Sequence, residues 1–148
     1  MEAESDVQVK AALPELRKSH GRIVFTSSGA AVKGTSTWGC YGASKAVLNH
    51  LALTLAKEEP GVTTIAVRPG VVDTKMQEDL AASHFSNMDK EDADRFRNMK
   101  TQGKMLRPEQ PGNVIARLVL DAPPELSGRF LKYVAFVFIE MTNELTCL

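Results

Sequence analysis

Two short apolar runs flank one long helical pattern, and this succession constrains the fold more than any other feature of the chain. Residues 22–28 (Arg-Ile-Val-Phe-Thr-Ser-Ser) are rich in β-branched and aromatic residues and read as a buried strand. Residues 63–67 (Thr-Thr-Ile-Ala-Val) read the same way and are cut off by Arg68-Pro69-Gly70. Between them, Gly29 to Gly39 has the Gly, Ser and Thr content of a loop. Residues 41–59 then carry Ala46, Leu48, Leu51, Leu53, Leu55 and Ala56 in helical repetition, before Pro60-Gly61 stops the helix. A strand that returns through a helix to a second buried strand predicts a right-handed βαβ unit in a parallel sheet.

The flanks extend this pattern. Residues 7–19 predict a helix with Val9, Ala12, Leu13 and Leu16 on one face, opposed by Pro14, which disrupts helix interiors. Residues 108–120 predict another, with Val114, Ile115, Leu118 and Val119 toward a core. Residues 128–139 predict a third strand, entered by the Ser127-Gly128 turn. The polar segment 71–107 is too long for a simple connection, so short helices or a flap are expected there. Its methionines would serve as a pliant lid or as core filling.

Composition excludes several classes. The 148 residues carry a formal net charge of +0, which gives no electrostatic reason to expect a nucleic-acid or membrane partner. No apolar run approaches the ~18 residues of a membrane span, and the first ten residues lack the features of a signal peptide. Cys40 and Cys147 have no disulfide or metal spacing, nor do His20, His50 and His84, so a reducing, cytoplasmic location and no metal are expected. Cys40 is expected as a small buried hydrophobe, and Asp73 and Glu78 as solvated loop charges. Trp38 would either line a pocket or pack beneath a loop.

The chemistry-bearing residues follow the strands. Tyr41 and Lys45 are four apart on the predicted helix and share a face. A free phenol titrates near about 10, and a lysine ammonium within about 4–6 Å favours the phenolate, bringing it toward neutral pH. Ser28 ends the first strand and can hydrogen-bond the oxygen on which Tyr41 acts. Tyr-x-x-x-Lys by itself reads more readily as an amphipathic helix with a half-buried tyrosine and a solvated lysine.

The whole set is far more specific. It comprises Gly21-Arg22-Ile23-Val24-Phe25-Thr26-Ser27-Ser28, Tyr41-Gly42-Ala43-Ser44-Lys45 and Arg68-Pro69-Gly70-Val71-Val72-Asp73-Thr74, in that order. It resembles the short-chain dehydrogenase/reductase family, most closely the fungal members related to sepiapterin reductase. The resemblance implies an α/β, doubly wound parallel sheet of Rossmann type and an NAD(P)(H)-dependent oxidoreductase acting on a small-molecule carbonyl or alcohol. It makes Tyr41 the acid/base, with Lys45 its activator and Ser28 the group that orients the carbonyl. It gives cofactor contacts to Tyr41, Lys45, Pro69, Gly70, Val72 and Thr74, and it favours NADP(H) over NAD(H). It also implies a homo-oligomer built through the helices at Val7–Ser19 and Tyr41–Glu59, and segment 71–107 as the substrate loop.

The resemblance reaches only the second part of that fold. No Gly-x-x-x-Gly-x-Gly turn and no Asn-Asn-Ala-Gly strand occurs among the 148 residues. The three strands match the last three of the family's sheet, so residues 1–148 are expected to form a partial, truncated Rossmann-like domain without the cofactor-binding half. The alternative is a non-catalytic fragment that acts only by pairing with homologues, or that has no function. The tail 132–148 departs from the family, and Val134 to Ile139 would either extend the third strand or be foreign to it.

Overall fold

The computed structural model describes residues 2–134. A helix α1 (Glu2–Ser19) leads into β1 (Arg22–Thr26), a 3-10 turn (Gly29–Ala31), helix α2 (Gly39–Glu58) and β2 (Thr63–Arg68). Helices α3 (Lys75–Ser83), α4 (Lys90–Thr101) and α5 (Glu109–Asp121) follow, then a 3-10 turn (Pro124–Leu126) and β3 (Phe130–Lys132). The strands form one parallel sheet in the order β1-β2-β3, with Val24 beside Ile65 and Val67 beside Leu131. It is a Rossmann-like α/β arrangement with helices on both faces.

Alternation along β2 explains the layers. Ile65 and Val67 point to the face covered by α5, where they join Val114, Leu118, Ala122, Leu126 and Leu131 in one core. Ala66 points to the opposite face with Phe25, against Val9 of α1 and Ala52 and Leu55 of α2. Thr64 is fully buried, and its hydroxyl donates to the Ala52 carbonyl at 2.7 Å, so a polar side chain sits in the core with its partner.

Several boundaries differ from expectation. The first helix begins at Glu2 rather than at residue 7 and runs through Pro14, which is exposed. The first strand ends at Thr26, two residues early, although the Ser27 amide still donates to the Val67 carbonyl at 2.8 Å. The second helix starts at Gly39. The third strand is short: Gly128, at φ +81, still belongs to the turn, and Tyr133 and Val134 have left the strand. Residues 135–139 of the expected strand lie outside the described residues, as does the rest of the tail.

Segment 71–107 holds α3 and α4. Its ends are tied together, because Val72 bridges Leu106, and the Asp73 and Leu106 amides donate to Leu106 and Val71 carbonyls at 2.8 and 2.9 Å. Leu80, Met88, Ala93 and Phe96 form a satellite cluster there, with Trp38, Val71 and Phe85 packed against it. This places α3 and α4 at the carboxyl end of β2. Among the described residues no helix is long and apolar enough to cross a membrane.

Candidate functional site

The carboxyl end of β1 is stitched to the start of α2 by two side chains. Ser27, buried, donates its hydroxyl to the Lys45 carbonyl at 3.2 Å, and the Lys45 ammonium donates to the Thr26 carbonyl at 2.9 Å. Lys45 Nζ thereby stands 5.9 Å from the centroid of the Tyr41 ring, one helical turn away. Tyr41 meets the Trp38 ring edge-on at 5.2 Å, and Trp38 lies 5.2 Å from Phe96 of α4.

Ser28 caps the 3-10 turn. Its Oγ accepts from the Ala30 amide at 3.2 Å, which leaves the hydroxyl proton free to donate elsewhere. The turn presses on α2 at Gly42, where a Cβ would come 2.7 Å from the Ala30 carbonyl oxygen. After β2, Gly70 adopts φ +90, a conformation that suits glycine, and a Cβ there would meet Leu106 at 2.9 Å. Thr74 is extended and its hydroxyl donates to the Val72 carbonyl at 3.4 Å.

These three segments converge. Ser28, Tyr41, Lys45, Pro69, Gly70, Val72 and Thr74 all line one cavity of about 610 Å³. Cavities in the crevice beyond the carboxyl ends of parallel strands are where open α/β sheets hold ligands. Trp38 both lines the cavity and packs on the satellite cluster. Arg68, Arg95, Phe96, Met99 and Tyr133 line it as well; Arg95, Phe96 and Met99 fall in the segment 71–107 expected as the substrate loop, whereas Arg68 and Tyr133 were not expected at the site. The spacing of Ala93, Phe96 and Met99, three apart, was the available signal for a helix face toward the site.

Cys40 is exposed, correcting the expectation of a small buried hydrophobe. One residue before Tyr41 is about 100° around the helix, which turns it away from the cavity into solvent. Asp73 and Glu78 are exposed. Among the described residues no cluster of His, Cys, Asp or Glu has the arrangement of a metal site.

A profile of the family described as short chain dehydrogenase matches residues 7–84, more than half of the chain. The chain belongs to the short chain dehydrogenase family. A solved short-chain dehydrogenase/reductase of Saccharomyces cerevisiae is similar in structure, with a TM-score of 0.82 and 45% identity over 84% of this chain and 50% of that one. The family relatives include a benzil reductase, (S)-benzoin forming, of the same yeast, 42% identical over 127 residues, 82% of this chain and 48% of the relative. A sepiapterin reductase of Meriones unguiculatus is 33% identical over 84 residues, 57% of this chain and 31% of the relative. The chain spans about half the length of the curated relatives it matches.

Proposed function

We propose that the protein is an NAD(P)(H)-dependent oxidoreductase that interconverts a carbonyl compound and an alcohol, with Tyr41 as the acid/base. One observation carries this reading: residues from three separate segments, Ser28, Tyr41 with Lys45, and Pro69 to Val72 with Thr74, line a single cavity.

The residues present suit the nicotinamide side of the cofactor. The cavity volume falls within the ~300–1,000 Å³ of small-molecule sites. Gly70 offers bare backbone where a side chain would collide with Leu106. Lys33, Lys45, Arg68, Arg95 and Lys132 line the cavity, and among the described residues no carboxylate does, a charge balance that favours an anionic dinucleotide. NADP(H) is proposed over NAD(H), as the resemblance to the sepiapterin reductase branch implies. Pro69, Gly70, Val72 and Thr74 would hold the carboxamide, and Tyr41 and Lys45 the ribose. A nicotinamide bound there supplies or accepts the hydride.

The chain's own groups manage the proton. During reduction Tyr41 donates its phenolic proton to the substrate oxygen, and during oxidation it takes that proton back. Ser28 donates a hydrogen bond to the same oxygen and fixes its position. Lys45 brings a positive charge beside the ring, stabilising the negative charge that Tyr41 carries once its proton has left. Trp38, Phe96 and Met99 give the cavity an apolar wall, so an aryl or similarly bulky apolar ketone is the proposed substrate, in keeping with the benzil reductase relative. Val7 of α1 and Leu53 of α2 are exposed, 64% and 58%, which supports pairing of two copies across these helices.

Oxidation of NADPH by the protein in the presence of benzil tests the reading. Tyr41→Phe should lower kcat by about 10²–10⁴ with little effect on KM. Unchanged turnover in Tyr41→Phe would remove the acid/base role. No turnover by the unaltered protein would favour the non-catalytic reading instead.

A further inference from the structure

The loop that leads into α2 and the start of α4 are fastened together at two side chains, Ser36 and Asp92. Asp92 lies in the first turn of α4, its side chain 15% exposed, and divides its carboxylate between two partners. Oδ2 accepts from the Ser36 amide at 2.8 Å, and Oδ1 pairs with Arg95 Nη2 at 3.3 Å. The Ser36 hydroxyl accepts from the Asp89 amide at 3.1 Å, and Asp89 caps α4 by accepting from the Asp92 amide at 2.8 Å. Two residues after Ser36 stands Trp38, whose ring lies 5.2 Å from that of Phe96, and the Arg95 guanidinium lies 4.8 Å from the Phe96 ring centre. One carboxylate therefore ties down both neighbours of Phe96, the loop that carries Trp38 through Oδ2 and Arg95 through Oδ1. Between Ser36 and Trp38, Thr37 has φ +66. This left-handed conformation is unfavourable for a β-branched residue and persists only where the surroundings impose it. Here the contacts of Ser36 impose it on one side, and the Trp38 amide, donating to the Thr35 carbonyl at 3.1 Å, does so on the other.

We infer that Asp92 and Ser36 form a latch that holds α4 on the loop before α2, keeping Trp38, Phe96 and Arg95 together as a wall of the substrate cavity. The effect on a ketone substrate rests on the oxidoreductase reading; the latch itself does not. Asp92 and Ser36 are positioning residues, which act through Trp38 and Phe96. The strain at Thr37 gives the latch its direction. With the Asp92 carboxylate removed, the left-handed turn loses its charged anchor, Thr37 relaxes toward negative φ, and the Trp38 ring parts from Phe96. The apolar wall then opens to water. Ser28, Tyr41 and Lys45 keep their places on β1 and α2, because the Lys45 ammonium remains bonded to the Thr26 carbonyl. A bulky apolar ketone thus loses a packing surface while the proton transfer keeps its groups. The signature is a raised KM for the ketone with kcat unchanged.

Trp38 is the single tryptophan of the chain, so its emission reports the latch without any turnover. Asp94 supplies the control: it pairs with Arg97, likewise three residues on along α4, at 3.1 Å, and among the described residues has no bond to the loop. Asp92→Ala should move the Trp38 emission to longer wavelength and increase its quenching by acrylamide. It should also raise KM for benzil about ten-fold or more, the factor for losing a hydrogen bond to a charged group, with kcat unchanged. Asp92→Asn keeps a neutral acceptor for the Ser36 amide, about half as strong, and should limit the rise to about three-fold. Asp94→Ala should change neither emission nor KM. Ser36→Ala removes only the acceptor of the Asp89 amide and should shift the emission the same way by less; with Asp92→Asn it carries the comparison should Asp92→Ala not fold by circular dichroism. Emission that neither Asp92→Ala nor Ser36→Ala changes overturns the inference. So does an equal change in Asp92→Ala and Asp94→Ala, which would make the effect one of helix stability, and so does a lowered kcat with KM for benzil unmoved. Emission that responds to Asp92→Ala and not to Asp94→Ala, in a protein that reduces no benzil, upholds the latch and overturns the oxidoreductase reading.

Discussion

Replacing Gly42 by alanine adds one methyl group to the point where the Ser28-capped turn rests on α2. That methyl would sit 2.7 Å from the Ala30 carbonyl oxygen. Ordinary C···O contacts begin at about 3.3–3.6 Å, so the turn must retreat by roughly 0.6 Å or more. The obstacle is backbone and cannot rotate aside. Gly112 supplies the control. Like Gly42 it is the fourth residue of its helix, but a Cβ there meets nothing within 4 Å. Both substitutions gain about 0.5–1 kcal/mol from relief of glycine's backbone entropy, and only Gly42→Ala carries the overpacking cost of about 1–3 kcal/mol. Gly112→Ala should therefore stabilise the protein, and Gly42→Ala should be less stable than it by about 1–3 kcal/mol. Urea denaturation of the two variants beside the unaltered protein measures this. Because the Ser28 hydroxyl is bonded to Ala30, the retreat also carries Ser28 away from Tyr41, and kcat should fall about ten-fold, a misplacement of 1 Å costing on the order of a hundred-fold. Two alanine variants with the same denaturation midpoint would refute the steric argument.

Two further expectations concern the scaffold. Arg17 donates through Nε to Glu59 Oε2 at 2.8 Å and through Nη2 to Oε1, joining α1 to the end of α2. These hydrogen bonds, with the charge of the guanidinium and against some desolvation, hold the Glu59 carboxyl below the usual carboxylate range. A lowered native value means that this contribution is complete above the unfolded value of about 4.3 and is lost as pH falls through the native one. Glu59→Gln should thus flatten the acid side of the stability–pH profile, and an unaltered acid limb in chemical denaturation would count against the pairing. Leu118 is fully buried between α5 and the sheet, and Leu118→Ala should cost about 2–5 kcal/mol in the same assay. A loss well under 1 kcal/mol, far below that range, would mean that α5 is not seated there.

The central βαβ unit was legible because β2 is an uninterrupted buried run and α2 carries apolar residues on every turn. Boundaries were less so. The five residues before Val7 have no apolar spacing to announce a helix, and Trp38 precedes α2 without a side-chain cap. Pro14 argued against a helix that forms nonetheless, because its ring lies on an exposed position. Ser28, Tyr41, Lys45 and the Pro69–Thr74 stretch were legible as sequence motifs. Phe96 and Met99 share a three-residue spacing that marks a helix face, but which way that face turns depends on how segment 71–107 folds, and Tyr133, just after β3, carries no motif of its own.

The residues that look least suited to a core are the ones that set the geometry of the site. Thr64 and Ala66 present small side chains to α2, and Ala52 answers from the helix with no exposure at all. Close approach of helix to sheet is what lets Thr64 reach the Ala52 carbonyl and, a little further along, Ser27 reach the Lys45 carbonyl and Lys45 reach Thr26. Each of those contacts spans the same gap between α2 and the sheet. A larger residue at position 66 would widen the gap and draw Lys45 off Thr26 and Tyr41 away from Ser28, without touching a single residue that lines the cavity. The reach of Lys45, which the sequence motif presents as a property of four residues of spacing, is therefore equally a property of the alanine beneath it.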